Sequence, residues 1–112
     1  MTADLRARFG PEYDAAFSRY IARPGESGLA VAYEIGRSAV SRGLSLLDLS
    51  AMHHAALLRE LRAARDPVDL GTRLAGADAF FGEVLATFEM TRRGFVEALV
   101  APEGEVPGGP GA

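Results

Sequence analysis

Hydrophobic residues recur along this chain at intervals of three and four, which is the spacing of one face of an α-helix. Gly10 and Pro11 precede the first such stretch, and Pro24 and Gly25 follow it. The pattern predicts a first helix between these breaks, with three aromatic residues on a face that packs in a core or an interface. Its hydrophobic positions are Tyr13, Ala16, Phe17, Tyr20 and Ile21.

Small residues are frequent on the hydrophobic face of the second predicted helix. Ser27 is its expected N-cap, and Gly43 is expected just beyond its C-terminal end. Gly36 costs about 1 kcal/mol of helix propensity relative to alanine, so a close helix contact is the expected compensation, which Gly36→Leu would overpack. The hydrophobic face comprises Leu29, Ala32, Tyr33, Gly36, Ala39 and Val40.

The third predicted helix begins at Ser45, which forms a capping box with Asp48 three residues later. The helix is expected to extend to about Arg65. It is hydrophobic nearly all round, which predicts that other helices surround it. Its hydrophobic residues are Leu46, Leu47, Leu49, Met52, Ala56, Leu57, Leu58 and Leu61.

The fourth predicted helix is the longest, beginning at Pro67 after the capping residue Asp66 and ending before Pro102. One face carries a heptad-like hydrophobic seam. A separate strip of small residues either packs on the second helix or forms a docking surface. The seam comprises Leu70, Leu74, Ala77, Phe81, Val84, Phe88, Thr91, Phe95 and Ala98, and the strip comprises Ala75, Ala79, Gly82 and Ala86.

These four helices predict an all-α, four-helix bundle over residues 1–101, followed by a flexible tail or linker rich in glycine and proline over residues 102–112. The chain has 112 residues, and so small a helical domain gains stability by burying surface against a second copy. We therefore expect a homodimer. The residues expected in dimer or helix packing are Tyr13, Phe17, Tyr20, Ala32, Gly36 and Ala39.

Composition argues against several classes of protein. The chain has no cysteine, so it has neither disulfides nor thiolate metal sites. No stretch approaches the roughly 18 consecutive apolar residues of a membrane span. The net charge is −3 and basic residues form no concentrated patch, which argues against nucleic-acid binding. We expect a soluble, cytoplasmic protein.

No pattern of residues predicts catalysis, a metal site or a cofactor. His53 and His54 are adjacent, so on a helix they point about 100° apart and cannot bind one metal ion together. The glycines and serines form no phosphate-binding loop and no nucleophile elbow. We interpret His53 as a buried, hydrogen-bonded histidine. The alternatives are a pH switch or a small-ligand pocket formed with Tyr33 and the aromatic residues of the fourth helix.

Three segments in fixed order resemble the N-terminal domain of RsbU-type phosphatases, which regulate bacterial stress-response partner switching. The resemblance implies a non-catalytic, homodimeric helical domain that binds an RsbT-type switch kinase and thereby activates a PP2C-like phosphatase domain further along the chain. The segments are FSRYIA (17–22), AYEIGR…GLSLLDLSAMHHAAL (32–57) and FFGEVLATFEMTRRGF (80–95).

In that family the kinase docks on the surface formed by the second and fourth helices. The matching positions here include Ala30, Gly82 and Ala86, which are smaller than the apolar anchors typical of a binding hot spot. Similar domains also precede sensor kinases, so the output domain could be a phosphatase or a kinase. The alternative function is a small-ligand sensory or dimerisation module attached to a sensor kinase.

Overall fold

Four helices pack together, in the number and order that the sequence predicts. The computed structural model describes the backbone of residues 2–100 and the side chains of residues 8–100. Within this range no strand is present. The predicted tail, residues 102–112, lies outside the described part of the chain. The helices are α1 (Thr2–Ala22), α2 (Glu26–Ser41), α3 (Leu46–Arg62) and α4 (Pro67–Val100).

Contacts at both ends show that α1 and α2 are antiparallel. Tyr20, near the end of α1, lies against Gly28 at the start of α2. At the opposite end, the Arg42 guanidinium that follows α2 lies 5.1 Å from the ring centre of Phe9. The short connection through Pro24 suits this arrangement, because antiparallel neighbours need only a tight turn.

The same reasoning orients α3 and α4. His53 stacks on Phe81, and Glu60, further along α3, binds Arg73, which lies earlier on α4, so these two helices are antiparallel. Tyr13, in the middle of α1, binds His53 of α3. Ser18, further along α1, binds Glu60, further along α3, so α1 and α3 are parallel. Helices α2 and α4 therefore also run parallel, and the protein is an up-down-up-down bundle.

The core is aromatic and lies where α1 meets α4. Phe80 is fully buried, and its ring centre lies 5.4 to 5.7 Å from those of Tyr13, Phe17 and Tyr20. Edge-on and tilted pairs at these distances stabilise a core beyond the burial of their area. The aromatic face predicted for α1 thus packs inside the bundle.

The predicted seam of α4 is buried only in its middle. Leu74 is 44% exposed and Phe95 is 50% exposed, whereas Phe80 and Thr87, which lie outside the seam, are buried. Residues outside the seam are buried because α4 packs against α2 as well as against α1 and α3. The last part of the seam is exposed because α2 ends near Phe88. The buried residues of α4 are Ala77, Phe80, Val84, Thr87 and Phe88.

Helix α1 begins earlier than the predicted start after Pro11, which lies inside it. Proline lacks the backbone N–H and normally interrupts a helix. Phe9 explains the continuation, since its side chain is 1% exposed and belongs to the core. Burying this ring requires the helix to extend on both sides of Pro11.

The predicted N-cap of α2 is also wrong. Gly25 occupies that position, no side chain caps the helix, and Ser27 lies in the first turn. The Leu29 amide donates to the Gly25 carbonyl at 3.2 Å, so helical hydrogen bonding starts two residues before the predicted cap. The local sequence alone does not show whether a serine at the start of a helix is the N-cap residue or lies in the first turn.

The end of α2 follows the prediction. Gly43 has a φ of +79°, the left-handed conformation that glycine adopts without steric cost. The amides of Gly43 and Leu44 donate to the carbonyls of Val40 and Ala39, each at 3.0 Å. This is a Schellman motif, and the buried Leu44 side chain supplies its hydrophobic contact.

Ser45 begins α3 with the predicted capping box: the Asp48 amide donates to the Ser45 hydroxyl oxygen, and the Ser45 amide donates to the Asp48 carboxylate. We expect Ser45→Ala to lower the free energy of unfolding by about 1 kcal/mol, because both helix cap and carboxylate partner are lost. Urea denaturation measures this. Ser50→Ala, at an exposed serine of the same helix, is the control, and equal stabilities for the two variants would contradict the capping role.

Helix α3 ends at Arg62, earlier than predicted, and other helices do not surround it. Leu47 is 81% exposed, Leu46 is 52% exposed and Leu58 is 37% exposed. Helix α3 packs against α1 and α4 on one side, so its opposite hydrophobic face has no neighbour within the described chain. Its buried residues are Asp48, Leu49, Met52 and Ala56.

Candidate functional site

The three residues predicted to bind a partner are all exposed, one on α2 and two on α4, and we call the outer surface of these two helices the α2/α4 face. Ala30 lies on the outer side of α2, and Gly82 and Ala86 lie on the outer side of α4. A Cβ atom added at Gly82 would meet nothing within 4 Å. The whole small-residue strip is exposed, so it does not pack on α2. The strip comprises Ala75, Ala79, Gly82 and Ala86.

A shallow groove joins the two helices of this face. Tyr33 lies in it and is 38% exposed, with the Arg37 guanidinium 6.0 Å from its ring centre. The hydrophobic pattern predicted that Tyr33 lies on the inner face of α2. Tyr33 lies three residues after Ala30 and four residues before Arg37, which are both on the outer side of α2. This helical spacing indicated that Tyr33 shares the outer side. Three carboxylates also line the groove, those of Glu26, Glu34 and Glu83.

Gly36 holds the two helices of this face together. A Cβ atom at this position would lie 2.6 Å from the Val84 carbonyl oxygen, 2.8 Å from the Thr87 Cβ and 3.0 Å from the Phe88 amide nitrogen. Only a glycine allows the backbones to approach this closely. The close contact predicted for Gly36 is therefore made with α4 of the same chain, and it sets the spacing of the outer surface.

The six residues predicted for dimer or helix packing lie inside a single chain. Since the chain's own helices enclose them, they offer no surface to a second copy. A homodimer stays a prediction and needs a different surface. The six are Tyr13, Phe17, Tyr20, Ala32, Gly36 and Ala39, all of them buried.

His53 occupies the junction of α1, α3 and α4. Its ring stacks on Phe81 with centres 3.8 Å apart and planes 2° apart, and its Nδ1 shares a 2.7 Å hydrogen bond with the Tyr13 hydroxyl. The predicted hydrogen bond is present, although the ring is half-buried. Tyr33 lies on the other side of α2, in the groove beside Glu83, so these residues do not line the small-ligand pocket that was the alternative.

The pKa of His53 is lowered from 6.5 to about 4, chiefly by burial and also by the neighbouring His54, while Asp78 partly opposes this change. Burial raises the pKa of Tyr13, and the Asp14 carboxylate adds to this effect. Both partners of the hydrogen bond are therefore uncharged at neutral pH. Neither side chain titrates near pH 7, as a general acid or base working at that pH would.

The described side chains, residues 8–100, contain no cluster of three or more acidic or histidine residues able to hold a metal ion. Every buried polar side-chain atom in this range has a hydrogen-bond partner. None of the four helices is long and apolar enough to cross a membrane.

The family model for the N-terminal domain of the phosphoserine phosphatase RsbU matches residues 11–91. The match includes all of α2 and α3, together with the packing residues and the α2/α4 face. No curated protein and no solved structure is significantly similar to the chain. Because the match covers most of the sequence and the structure is a bundle of four helices, the chain belongs to the RsbU N-terminal domain family, a regulatory module of the RsbU phosphatase.

Proposed function

We propose that this chain is a non-catalytic regulatory module that binds an RsbT-type switch kinase on its α2/α4 face. Binding controls a phosphatase output domain outside this chain, in a cytoplasmic partner-switching pathway of the bacterial stress response. The family assignment supports the regulatory role. The observation that supports the location is the groove in which Ala30 and Tyr33 of α2 meet Glu83 of α4, next in the chain to the exposed Gly82.

The α2/α4 face suits a protein partner for two physical reasons. Its small side chains have few rotamers to lose, so binding costs little side-chain entropy. The contact at Gly36 holds the two helices in one spacing, so the partner meets a preorganised surface. Tyr33 adds a large aromatic side chain, a residue type enriched in binding hot spots.

The continuous helix α4 links this face to whatever follows it. Ala86 lies within α4, and the same helix continues to Val100. A partner that contacts Ala86 can therefore bias the position of the end of α4, provided that it binds one arrangement of the output more tightly than another.

We expect Ala86→Arg to abolish binding of an RsbT-type kinase in a pull-down and in isothermal titration calorimetry. The arginine would project from a flat surface and prevent close packing. Because Ala86 is exposed, the free energy of unfolding should change by only about 0.5 kcal/mol.

The matched control is Ala15→Arg, the same substitution at an exposed alanine of α1. It should leave kinase binding unchanged. If Ala86→Arg unfolded the protein, or if both variants bound the kinase equally, the docking site would not be the α2/α4 face.

A further inference from the structure

A second groove lies between α1 and α2, separated from the groove of the α2/α4 face by the ridge of α2 that carries Glu34. It consists of two adjoining cavities of about 450 Å³ and about 410 Å³, which share Ala16, Arg19 and Val31. The cavities follow α1 over residues 9–23, which is about 20 Å of helix. We call this feature the α1/α2 groove.

The walls of the α1/α2 groove are largely apolar. Val31 belongs to both cavities and is 39% exposed, and Phe9 and Ile35 lie beneath one end. At the other end Gly28 leaves the ring of Tyr20 accessible as a floor, because a Cβ atom at Gly28 would lie only 2.6 Å from the Tyr20 Cδ1. Apolar side chains of another molecule that enter the groove would therefore be removed from water.

One end of the α1/α2 groove is basic. Arg19 and Arg23 line this end and are exposed, neither forms an ion pair with any residue in the described part of the chain, and no carboxylate lines the same cavity. At the other end Glu12 already pairs with Arg42 at 3.1 Å. The groove of the α2/α4 face, in contrast, is lined by three carboxylates. The two grooves beside α2 therefore favour partners of opposite charge.

We propose that the α1/α2 groove binds an acidic amphipathic helix of a second partner protein. The apolar residues of that helix enter the groove beside Val31, and its carboxylates pair with Arg19 and Arg23. A helix suits this site better than an extended segment, which binds by pairing with the free edge of a sheet, because residues 2–100 contain no strand. The site is separate from the proposed kinase face and does not depend on it.

Phage-displayed random peptides of about 14 residues, the length of helix that spans the groove, test this proposal with the purified full chain as the target. Selected sequences should be rich in Asp and Glu, with apolar residues three and four positions apart. The strongest binder is then synthesised with a fluorescent label and titrated by fluorescence anisotropy. Added salt should weaken its binding, because exposed charges are screened.

Substitutions at both parts of the groove locate the bound peptide. Arg19→Glu combined with Arg23→Glu should raise the dissociation constant of the peptide at least about tenfold, because like charges then face each other. Val31→Asp should weaken binding to a similar extent, since it places a carboxylate in the apolar wall. The matched control is Arg62→Glu, which lies in the last turn of α3 as Arg19 lies in the last turn of α1, and it should leave the dissociation constant unchanged.

Circular dichroism melts check that each variant is folded, and Arg19→Gln with Arg23→Gln replaces the charge reversal if the latter unfolds the chain. Failure to enrich acidic amphipathic peptides, an unchanged dissociation constant in the folded double variant, or equal weakening by Arg62→Glu would each overturn the proposal. Loss of peptide binding in Ala86→Arg but not in Val31→Asp would also overturn it and place the peptide on the α2/α4 face. The titration contains no kinase, so failure of the kinase site would leave this result unaffected.

Discussion

Replacing Gly36 with alanine is expected to lower the free energy of unfolding by about 1 to 3 kcal/mol. Alanine normally stabilises a helix relative to glycine by about 1 kcal/mol. Here the added Cβ would lie 2.6 Å from the Val84 carbonyl oxygen, and backbone atoms cannot move away as a flexible side chain can. Leucine should be worse than alanine. Thermal denaturation should show a fall of about 4 to 8 °C per kcal/mol.

Gly82→Ala is the matched control, because it is the same substitution inside the neighbouring helix. A Cβ at Gly82 meets nothing within 4 Å, so alanine should raise the free energy of unfolding by about 0.5 to 1 kcal/mol. The two substitutions should thus have opposite signs. A Gly36→Ala protein as stable as the wild type would show that α2 and α4 do not make this close contact.

The Gly36 variant also tests how the α2/α4 face is built. Alanine at this position must push α2 away from α4, which changes the spacing between Ala30 and Gly82. If the kinase docks on both helices, a folded Gly36→Ala protein should bind it more weakly than the wild type does. The comparison is informative at temperatures well below both unfolding midpoints.

Lowering the pH from about 6.5 to about 4 is expected to remove stability through His53. The unfolded chain binds a proton on this residue near pH 6.5, whereas the folded protein does so only near pH 4, because burial disfavours the charged ring. The contribution is therefore complete above pH 6.5 and is lost as the pH falls towards 4. Since one pH unit corresponds to about 1.4 kcal/mol, the loss is at most about 3 kcal/mol.

Urea denaturation between pH 4.5 and 7 measures this slope. His53→Phe keeps an aromatic ring against Phe81 but cannot titrate, so its stability should vary much less with pH. His54→Ala, which removes the exposed neighbouring histidine, should keep most of the slope. Equal slopes for the wild type and His53→Phe would show that other groups carry the pH dependence.

The spacing of hydrophobic residues, together with the glycine, proline and capping residues between the helices, was enough to predict four helices in order and the ends of several of them. Gly43 and Ser45 act within a few residues, so the turn between α2 and α3 was predicted with its Schellman motif and its capping box. The start of α1 was predicted less well. There, burial of Phe9, which is a tertiary contact, outweighs the local tendency of Pro11 to interrupt a helix.

Tertiary structure alone decided which faces are buried and which remain free. Two helices carry a strip of small residues, and the sequence does not distinguish them: Gly36 meets the backbone of α4, whereas Gly82 faces solvent. Similarly, Leu49 is buried and Leu47 is exposed, although both are leucines of the same helix. Helical periodicity reports which residues share a face, but the neighbour of that face is set by packing between residues far apart in the chain.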